Sequence, residues 1–529
     1  MMLDLTDLAD GAPELRFGDA TVVVGSGAAG LALALALEEA GSRVVLLESG
    51  GDPRDEAAMA EAGLLNSGRV VGQAYQGLEG GRARVLGGAT QLWHGQCTRM
   101  RATDLEVRPW LDNSGWPLTL AELDTWYRSA ETWFGLSGRG YDAARWTEHK
   151  RVSPLPWSAD RLLDDFAEYT VEPHLGDRFR TRLERSSGIT TLIHATTVAV
   201  RVEDDRVVGV DVRDGLGRTR VLAARTVVLA AGAIENARLL MLSDPEGTGL
   251  GAGRRWTGRY LQDHPAVDLL EVHPTQRSWL QDRTSHLHRG RRRIWPKVRL
   301  APAAQEREEL VAANAVLVHE YDDPGLDAVR RLLWSARRRR LPEGGLGDVR
   351  LAAGAVLPTL RTAWRRWVLG LSAGRPASGV RLQVWLEQVP DPESRVTLDT
   401  AVDPFGLPLP RVDWRVADVE MRTSRVMAQW VADDLERNDV AIASPLPAMT
   451  DDDAWRASVR DAYHPAGTTR MSLSGDDGVV DTDLRVHGVG GLYVSGSSVF
   501  PIAGYANPTL TIVALSLRLA DHLVSSRRV

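Results

Sequence analysis

Six consecutive residues, Gly25-Ser26-Gly27-Ala28-Ala29-Gly30, form a GxGxxG turn whose chemistry is the binding of a dinucleotide pyrophosphate. The first glycine permits a tight strand-to-helix turn, the second lets the backbone approach the phosphates, and the third lets helix and strand pack closely. Unpaired amides and a partial positive charge at the helix N-terminus then face the phosphate oxygens. Further on, Glu48 offers a charged acceptor for ribose hydroxyls. FAD and NAD share this geometry, so the fingerprint alone leaves the hydride carrier open, and its place near the start of the chain leans toward flavin. Two other residues have usable chemistry. His464 carries an imidazole that could take a proton, although a lone loop histidine is more often a capping group. Asn507 precedes Pro508, a pair that suits the start of a helix.

Elements of the right kind surround the fingerprint. A short apolar run at residues 21–24 precedes it, and an Ala/Leu-rich helical stretch follows to Ala40. Gly41 then stops that stretch before a second strand at 43–47, giving a βαβ unit. Further strands are expected at 190–200, 206–213 and 226–230, the last entering Ala231-Gly232 and a helix over 236–242. A strand at 492–495 and an amphipathic helix from about Thr509 to Leu523 close the chain. The intervening stretches are richer in Trp and Arg. The fold class is therefore α/β, α+β overall, with a Rossmann-like nucleotide domain assembled from residues 18–115, 190–270 and 456–529. A discontinuous substrate domain is expected from 116–189 and 271–455. Arg381, Gln383, Trp385 and Glu387 alternate with Leu382, Val384 and Leu386, the pattern of a half-buried strand.

Composition narrows the function classes. A chain of 529 residues has room for two domains, and its net charge of −7 gives no reason to expect nucleic acid. Cys97 is the single cysteine, so an internal disulfide and a cysteine metal site are both excluded, and the histidines show no metal-ligand spacing. Acidic residues near the start and the lack of a long apolar run lead to the expectation of a cytoplasmic protein. The basic residues are nearly all arginine, with lysine only at Lys150 and Lys297.

Taken in order, the motifs resemble those of the glucose–methanol–choline (GMC) oxidoreductase family across nearly the whole chain. They are the fingerprint with Glu48; Gly87-Gly88-Ala89-Thr90; Ala230 to Glu235; Gly258-Arg259-Tyr260-Leu261-Gln262-Asp263-His264; and a C-terminal set. That set comprises His464-Pro465-Ala466-Gly467-Thr468-Thr469-Arg470-Met471, Gly478-Val479-Val480-Asp481, Gly496-Ser497-Ser498-Val499-Phe500-Pro501 and Asn507-Pro508-Thr509. Ser114-Gly115-Trp116-Pro117, Pro392 to Val396 and Trp93 resemble the branch of pyranose oxidases and bacterial glycoside or sugar oxidases and dehydrogenases.

The resemblance implies FAD held by Gly25, Gly27, Ala28, Ala29, Gly30, Glu48, Ser49, Arg82, Gly87, Gly88, Ala89, Thr90, Trp93 and Val198. Later in the chain it adds Ala231, Gly232, Gly496, Ser497, Asn507, Pro508 and Thr509. Some pyranose oxidases tether FAD through a histidine just before the matching tryptophan. Leu92 stands there in this chain, with His94 two residues on, so noncovalent FAD is expected. His464 occupies the position of the family's catalytic base, with hydride passing to flavin N5. Asn507 occupies the second position, where its amide can hold the substrate oxygen. In the family an antiparallel sheet roofs the substrate pocket, which would bring Gln383 and Trp385 to a sugar. His264 is expected to be structural and Cys97 a buried small residue.

The implied reaction is oxidation of a secondary hydroxyl of a sugar or glycoside, with oxygen, a quinone or another electron acceptor. A polyol or natural-product alcohol is the alternative substrate, and a lyase with a redox-silent flavin the remoter one. The segment 328–367, rich in Arg and Trp, reads as one or two basic amphipathic helices. They either pack on the substrate domain or attach peripherally to an anionic membrane.

Overall fold

The computed structural model describes residues 1–7, 14–141, 155–244, 246, 249–322, 324–337, 345–369 and 377–527. Its first layer grows from the fingerprint. Thr21–Val24 is buried along its whole length, as expected of a parallel strand covered on both faces. It lies between Val44–Leu47 and Val227–Leu229 in a six-stranded sheet completed by Met2–Asp4, Ile189–Ile193 and Leu492–Val494. Every pairing in this sheet is parallel. Helix Ala28–Glu39 is buried on nearly all sides because it packs between this sheet and the terminal helix Thr509–Ser526. Its alternation of alanine and leucine fits that position: alanine allows close approach while each fully buried leucine contributes about 1.5–3 kcal/mol.

The second layer is an eight-stranded antiparallel sheet. Its order is Ala441–Pro445, Ala266–Pro274, Gly379–Leu386, Ala313–Glu320, Arg292–Leu300, Leu162–Tyr169 and Gln96–Cys97, with Leu287–Arg289 paired to Arg292–Leu300. The long helix Asp418–Arg437 packs on one face of it. Leu382, Val384 and Leu386 are buried in the same apolar cluster as Met427, Ala428, Val431 and Leu435 of that helix. Gln383 and Trp385 therefore point to the opposite face, as the alternation requires.

Several expected bounds shift. The strand expected over 190–200 is two strands, Ile189–Ile193 and Thr196–Glu203, because His194 between them has a left-handed φ of 50°. Gln96–Cys97, expected in the nucleotide domain, pairs instead with the antiparallel sheet, and Ala266–Pro274 runs across the expected boundary at 270. Met2–Asp4, outside every expected element, adds an edge strand to the parallel sheet. Within the Arg/Trp segment there are three helical pieces, Pro324–Arg337, Gly345–Gly354 and Val356–Trp364, the last running on into a π-helical turn at Arg365–Leu369. Part of that expected segment, residues 338–344, lies outside the described residues.

Candidate active site

The fingerprint glycines divide their work as the turn demands. Gly25 has φ +103°, and a Cβ there would lie 2.5 Å from the Ala230 carbonyl oxygen. A Cβ on Gly30 would lie 1.9 Å from the Gly25 oxygen, so this glycine sets the helix–strand contact. Gly27 differs, because a Cβ there would meet nothing within 4 Å. Gly27 is also the N-cap of Ala28–Glu39 and has no side chain to satisfy the first-turn amides. The helix N-terminus thus opens onto free space, and Gly232 (φ +86°) likewise has open space at its Cβ position. This cradle fits a pyrophosphate. Ala28 and Ala29, both buried, form the first helical turn.

Glu48 sits at the end of the neighbouring strand with its carboxylate already ordered. Its Oε2 accepts from Ser26 N at 3.1 Å and Ser26 Oγ at 2.5 Å, and its Oε1 accepts from Gly50 N at 3.1 Å. Burial raises its pKa above the ordinary carboxylate value against these hydrogen bonds. Ser26 Oγ in turn accepts from Gly87 N at 3.2 Å, and a Cβ on Gly88 would lie 3.0 Å from Gly27 Cα. The 87–90 turn is therefore pinned to the fingerprint, with Thr90 donating to the Gly87 carbonyl and Ala89 exposed. Ser49 Oγ is 2.8 Å from Thr196 Oγ1, at the start of the strand that carries the buried Val198.

Asn236, noticed in the sequence only as a helix residue, ties two remote blocks together. It accepts from Ala231 N at 2.8 Å and donates to Ser498 Oγ at 3.0 Å, beside Gly496 and Ser497.

Two expected cofactor residues are committed to protein partners. Arg82 forms an ion pair with Glu235 at 2.5 Å and also donates to the Leu78 and Asn66 carbonyls. Arg82, Arg84 and Arg238 together hold Glu235 far below the usual carboxylate range despite its burial. Trp93 Nε1 donates to the Pro173 carbonyl at 2.6 Å, and its ring packs on Phe134. Leu92 is 48% exposed.

The most organised chemistry surrounds His464. Its Nδ1 lies 3.0 Å from Nδ1 of His264. Its backbone N–H donates to both oxygens of Asp263 at 3.0 Å, and the same carboxylate accepts from His264 N at 2.7 Å, Ala462 N at 3.0 Å and Tyr75 OH at 2.8 Å. Asp263 is wholly buried, and burial, reinforced by Asp461, pushes its pKa up to about 7. The residues preceding the two clamped segments, Tyr260 and Tyr463, hold left-handed φ values of 61° and 60°, backbone strain of the kind found where surrounding structure over-determines a site. Gln262 joins this clamp to the loop leading to Asn507: its Oε1 accepts from Ala503 N at 2.9 Å, and it exchanges backbone hydrogen bonds with Ala466.

Burial, then His264, then Lys297, lower the His464 pKa well below its ordinary value, and burial with Lys297 takes His264 down to about 4. Both imidazoles are therefore neutral at pH 7, the state a proton acceptor needs. His264, expected to be structural, is instead the direct ring partner of His464. The Asp-His dipeptide at 263–264 was visible in the sequence, but nothing there shows that it lies against residue 464.

Across from the pair stands the sheet. The Trp385 ring centre lies 6.5 Å from that of His464. Trp385 Nε1 donates to Gln383 Oε1 at 2.6 Å, and Gln383 donates to Asp268 at 2.8 Å, so the indole is held rigidly. Lys297, on Arg292–Leu300, places its ammonium 5.7 Å from the Trp385 ring centre and 5.4 Å from that of Trp295. Lys297 is only 7% exposed, and no carboxylate among the described residues lies within ion-pairing distance. Burial lowers its pKa to about 8 against the attraction of Asp165, which stands opposite it on Leu162–Tyr169 and is itself paired with Arg101. Sequence reading missed this residue, although one of two lysines in so arginine-rich a chain was a signal.

Asn507 is fixed from the other side. Its Oδ1 accepts from Gln96 Nε2 at 2.6 Å, Gln96 Oε1 accepts from Tyr169 OH at 3.1 Å, and Tyr169 OH lies 3.1 Å from His286 Nε2. This relay reaches a cavity of about 350 Å³ lined by Tyr169, Pro173, His94, His286, His288 and Arg293. The terminal helix begins at Thr509 with Pro508 as its N-cap, so the Asn507 side chain is engaged by Gln96 and does not cap the helix. Glu387, the last member of the alternating strand pattern, is wholly buried, because Arg108 pairs with it through two bonds of 2.6 and 2.7 Å. Among the described residues there is no cluster able to hold a metal ion.

Comparison with known proteins agrees with this architecture. The sequence model of the FAD binding domain matches residues 20–293, over half of the chain, and that of GMC oxidoreductase matches residues 390–516. A C-glycoside 3-oxidase from Microbacterium trichothecenolyticum is 27% identical over 461 residues, spanning 83% of this chain and 75% of that protein. Choline oxidase from Arthrobacter globiformis is 26% identical over 585 residues, spanning 96% and 94%. A solved structure of an Aspergillus oryzae RIB40 formate oxidase variant aligns with TM-score 0.58 at 18% identity, covering 98% of this chain and all of that one, a likeness of fold.

Proposed function

The chain belongs to the GMC oxidoreductase family and is an FAD-dependent enzyme acting on CH–OH groups, and on that premise we propose that it oxidises a secondary hydroxyl of a sugar or glycoside with His464 as the base. The observation that carries this reading is the His264–His464 contact beneath the Trp385–Lys297 roof.

One hydrogen serves the two Nδ1 atoms. In the productive arrangement His464 donates its Nδ1–H to His264, leaving its own Nε2 as a lone pair for the substrate proton. Asn507, with Oδ1 held by Gln96, keeps its amide N–H groups for the developing alkoxide oxygen. Bound FAD supplies the hydride acceptor; Gly25, Gly27, Gly30, Glu48, Gly88 and Gly232 are the residues whose geometry fits holding it. Leu92 at the tether position supports noncovalent attachment.

The roof bears on substrate class. An indole face suits the apolar face of a sugar ring, and an ammonium in no direct ion pair suits oxygen acceptors. The same positive charge disfavours a quaternary ammonium alcohol such as the substrate named for the choline relatives, whereas the C-glycoside 3-oxidase likeness favours a glycoside. With Met2–Asp4 added, and Gln96–Cys97 and residues 266–270 given to the antiparallel sheet, residues 18–115, 190–270 and 456–529 would then carry the cofactor, and 116–189 with 271–455 the substrate.

The test is anaerobic flavin bleaching across a panel of sugars, glycosides, polyols and choline, then reoxidation with oxygen and with a quinone. Glycoside-driven bleaching that is lost in His464→Ala supports the reading. Bleaching by choline or simple polyols alone overturns the sugar assignment, and unchanged bleaching in His464→Ala overturns the base.

A further inference from the structure

We propose that the helical insert between strands Ala313–Glu320 and Gly379–Leu386 is a docking surface for an anionic membrane, on which it lies without crossing. The two strands pair down to Glu320 opposite Gly379, so the insert leaves and re-enters the sheet at one point. Its base is fastened there: Gln281 donates to Tyr321 OH at 3.1 Å and accepts from Ala377 N at 3.1 Å, and Arg365 pairs with Asp282.

Beyond the base, apolar side chains turn outward at helical spacing. Leu346, Val349, Ala353, Leu357, Leu360, Trp364 and Trp367 follow one another at intervals of three or four along Gly345–Gly354, Val356–Trp364 and the π-helical turn. Leu346 is 88% exposed, Leu357 79%, Trp367 67% and Trp364 54%. A soluble surface scatters such residues singly, whereas a continuous stripe marks an interaction face.

Charge identifies the occupant. Residues 324–369 carry ten arginines against Asp327, Glu343 and Asp348, while the whole chain is net negative at −7. Asp348 is buried and paired with Arg331 at 2.5 Å, which removes one of the few acids from the surface. Exposed Leu and Trp beside exposed Arg330, Arg350 and Arg361 make the two-part composition that enters the acyl boundary while binding lipid phosphates. Among the described residues no helix is long and apolar enough to cross a bilayer, consistent with lying at the interface. A second copy could cover the stripe only with its own, and that would set one arginine-rich insert against another, whereas lipid phosphates neutralise the arginines.

The test is flotation of the holoenzyme with phosphatidylcholine vesicles, with and without phosphatidylserine. Binding is expected only with the anionic lipid, and it should fall as salt rises. Arg350→Gln with Arg361→Gln should weaken it by roughly 25-fold at low salt, about fivefold for each arginine. Leu346→Ser with Leu357→Ser and Trp364→Ser should abolish it. These positions are exposed, so bound flavin and the melting temperature serve as the folding controls. Absence of wild-type binding at low salt overturns the proposal, as does binding unchanged in either variant. An oligomer in sedimentation velocity that the same variants dissolve, without vesicle binding, assigns the face to a second copy instead.

Discussion

The backbone N–H of His464 and both carboxylate oxygens of Asp263 are 3.0 Å apart, and the same carboxylate also holds the backbone of His264. One buried acid thus fixes the relative position of both imidazoles through their main chains, leaving the rings to interact at 3.0 Å.

Replacing Asp263 with Asn offers one acceptor oxygen where two now serve four residues, and turns an N–H edge toward N–H donors. A stability loss of about 1–3 kcal/mol is expected, read as a lower melting temperature. The pH dependence provides a sharper check. The folded-state pKa of Asp263 is raised to about 7 from the ordinary aspartate value of 3.8. Its contribution to stability is therefore fully present below pH 3.8 and is lost as pH rises through about 7. Between those values the Asn variant should show a shallower fall in stability with pH than the wild type, and parallel curves would refute the assignment.

His264→Ala removes the ring acceptor and leaves His464 free to rotate. Because His264 also lowers the His464 pKa, the acid limb of the flavin-reduction rate should move to higher pH as the rate falls. Stopped-flow reduction across pH separates this from a merely structural defect, which would lower the rate at every pH without moving the limb.

Lys297→Met should also move the acid limb upward, because the ammonium contributes to lowering the His464 pKa. Lys297→Arg, which keeps the charge, should leave the limb in place. The Met variant should raise KM for a glycoside, since the roof loses its donor. An unmoved limb and an unchanged KM would show that the ammonium faces neither the base nor the substrate.

Gly27→Ala and Gly30→Ala should part company. The first adds a methyl where there is open space, so the protein should fold but lose flavin, seen as a reduced visible flavin band with a melting temperature equal to that of the flavin-free wild type. The second sets a methyl 1.9 Å from the Gly25 carbonyl oxygen and should compromise the fold itself. Equal folding of both would contradict the division of roles.

Local elements were legible where periodicity and turn chemistry agree, as at Thr21–Val24, Ala28–Glu39 and the strand bearing Gln383 and Trp385. Contacts between remote segments were not. Nothing in the sequence around His264 reports that a loop two hundred residues later brings a second imidazole to it. Glu387 continued an alternating pattern, yet Arg108 from a distant segment buries it as an ion pair. His194 broke an expected strand through its left-handed backbone, which the apolar pattern of the flanking residues does not encode. Lys297 looked like a rarity of composition, and only its burial between two tryptophans gives that rarity a chemical meaning.

Cys97, the single thiol, is fully buried one residue from Gln96 on a two-residue strand at the edge of the antiparallel sheet. Gln96 is the group that holds Asn507. The chain therefore carries its own clock for this corner of the site. A thiol reagent reaches Cys97 only through an opening of the structure, and lifting of that edge strand is one that would also release Asn507. Slower labelling with substrate bound would mean that the bound state holds this corner closed.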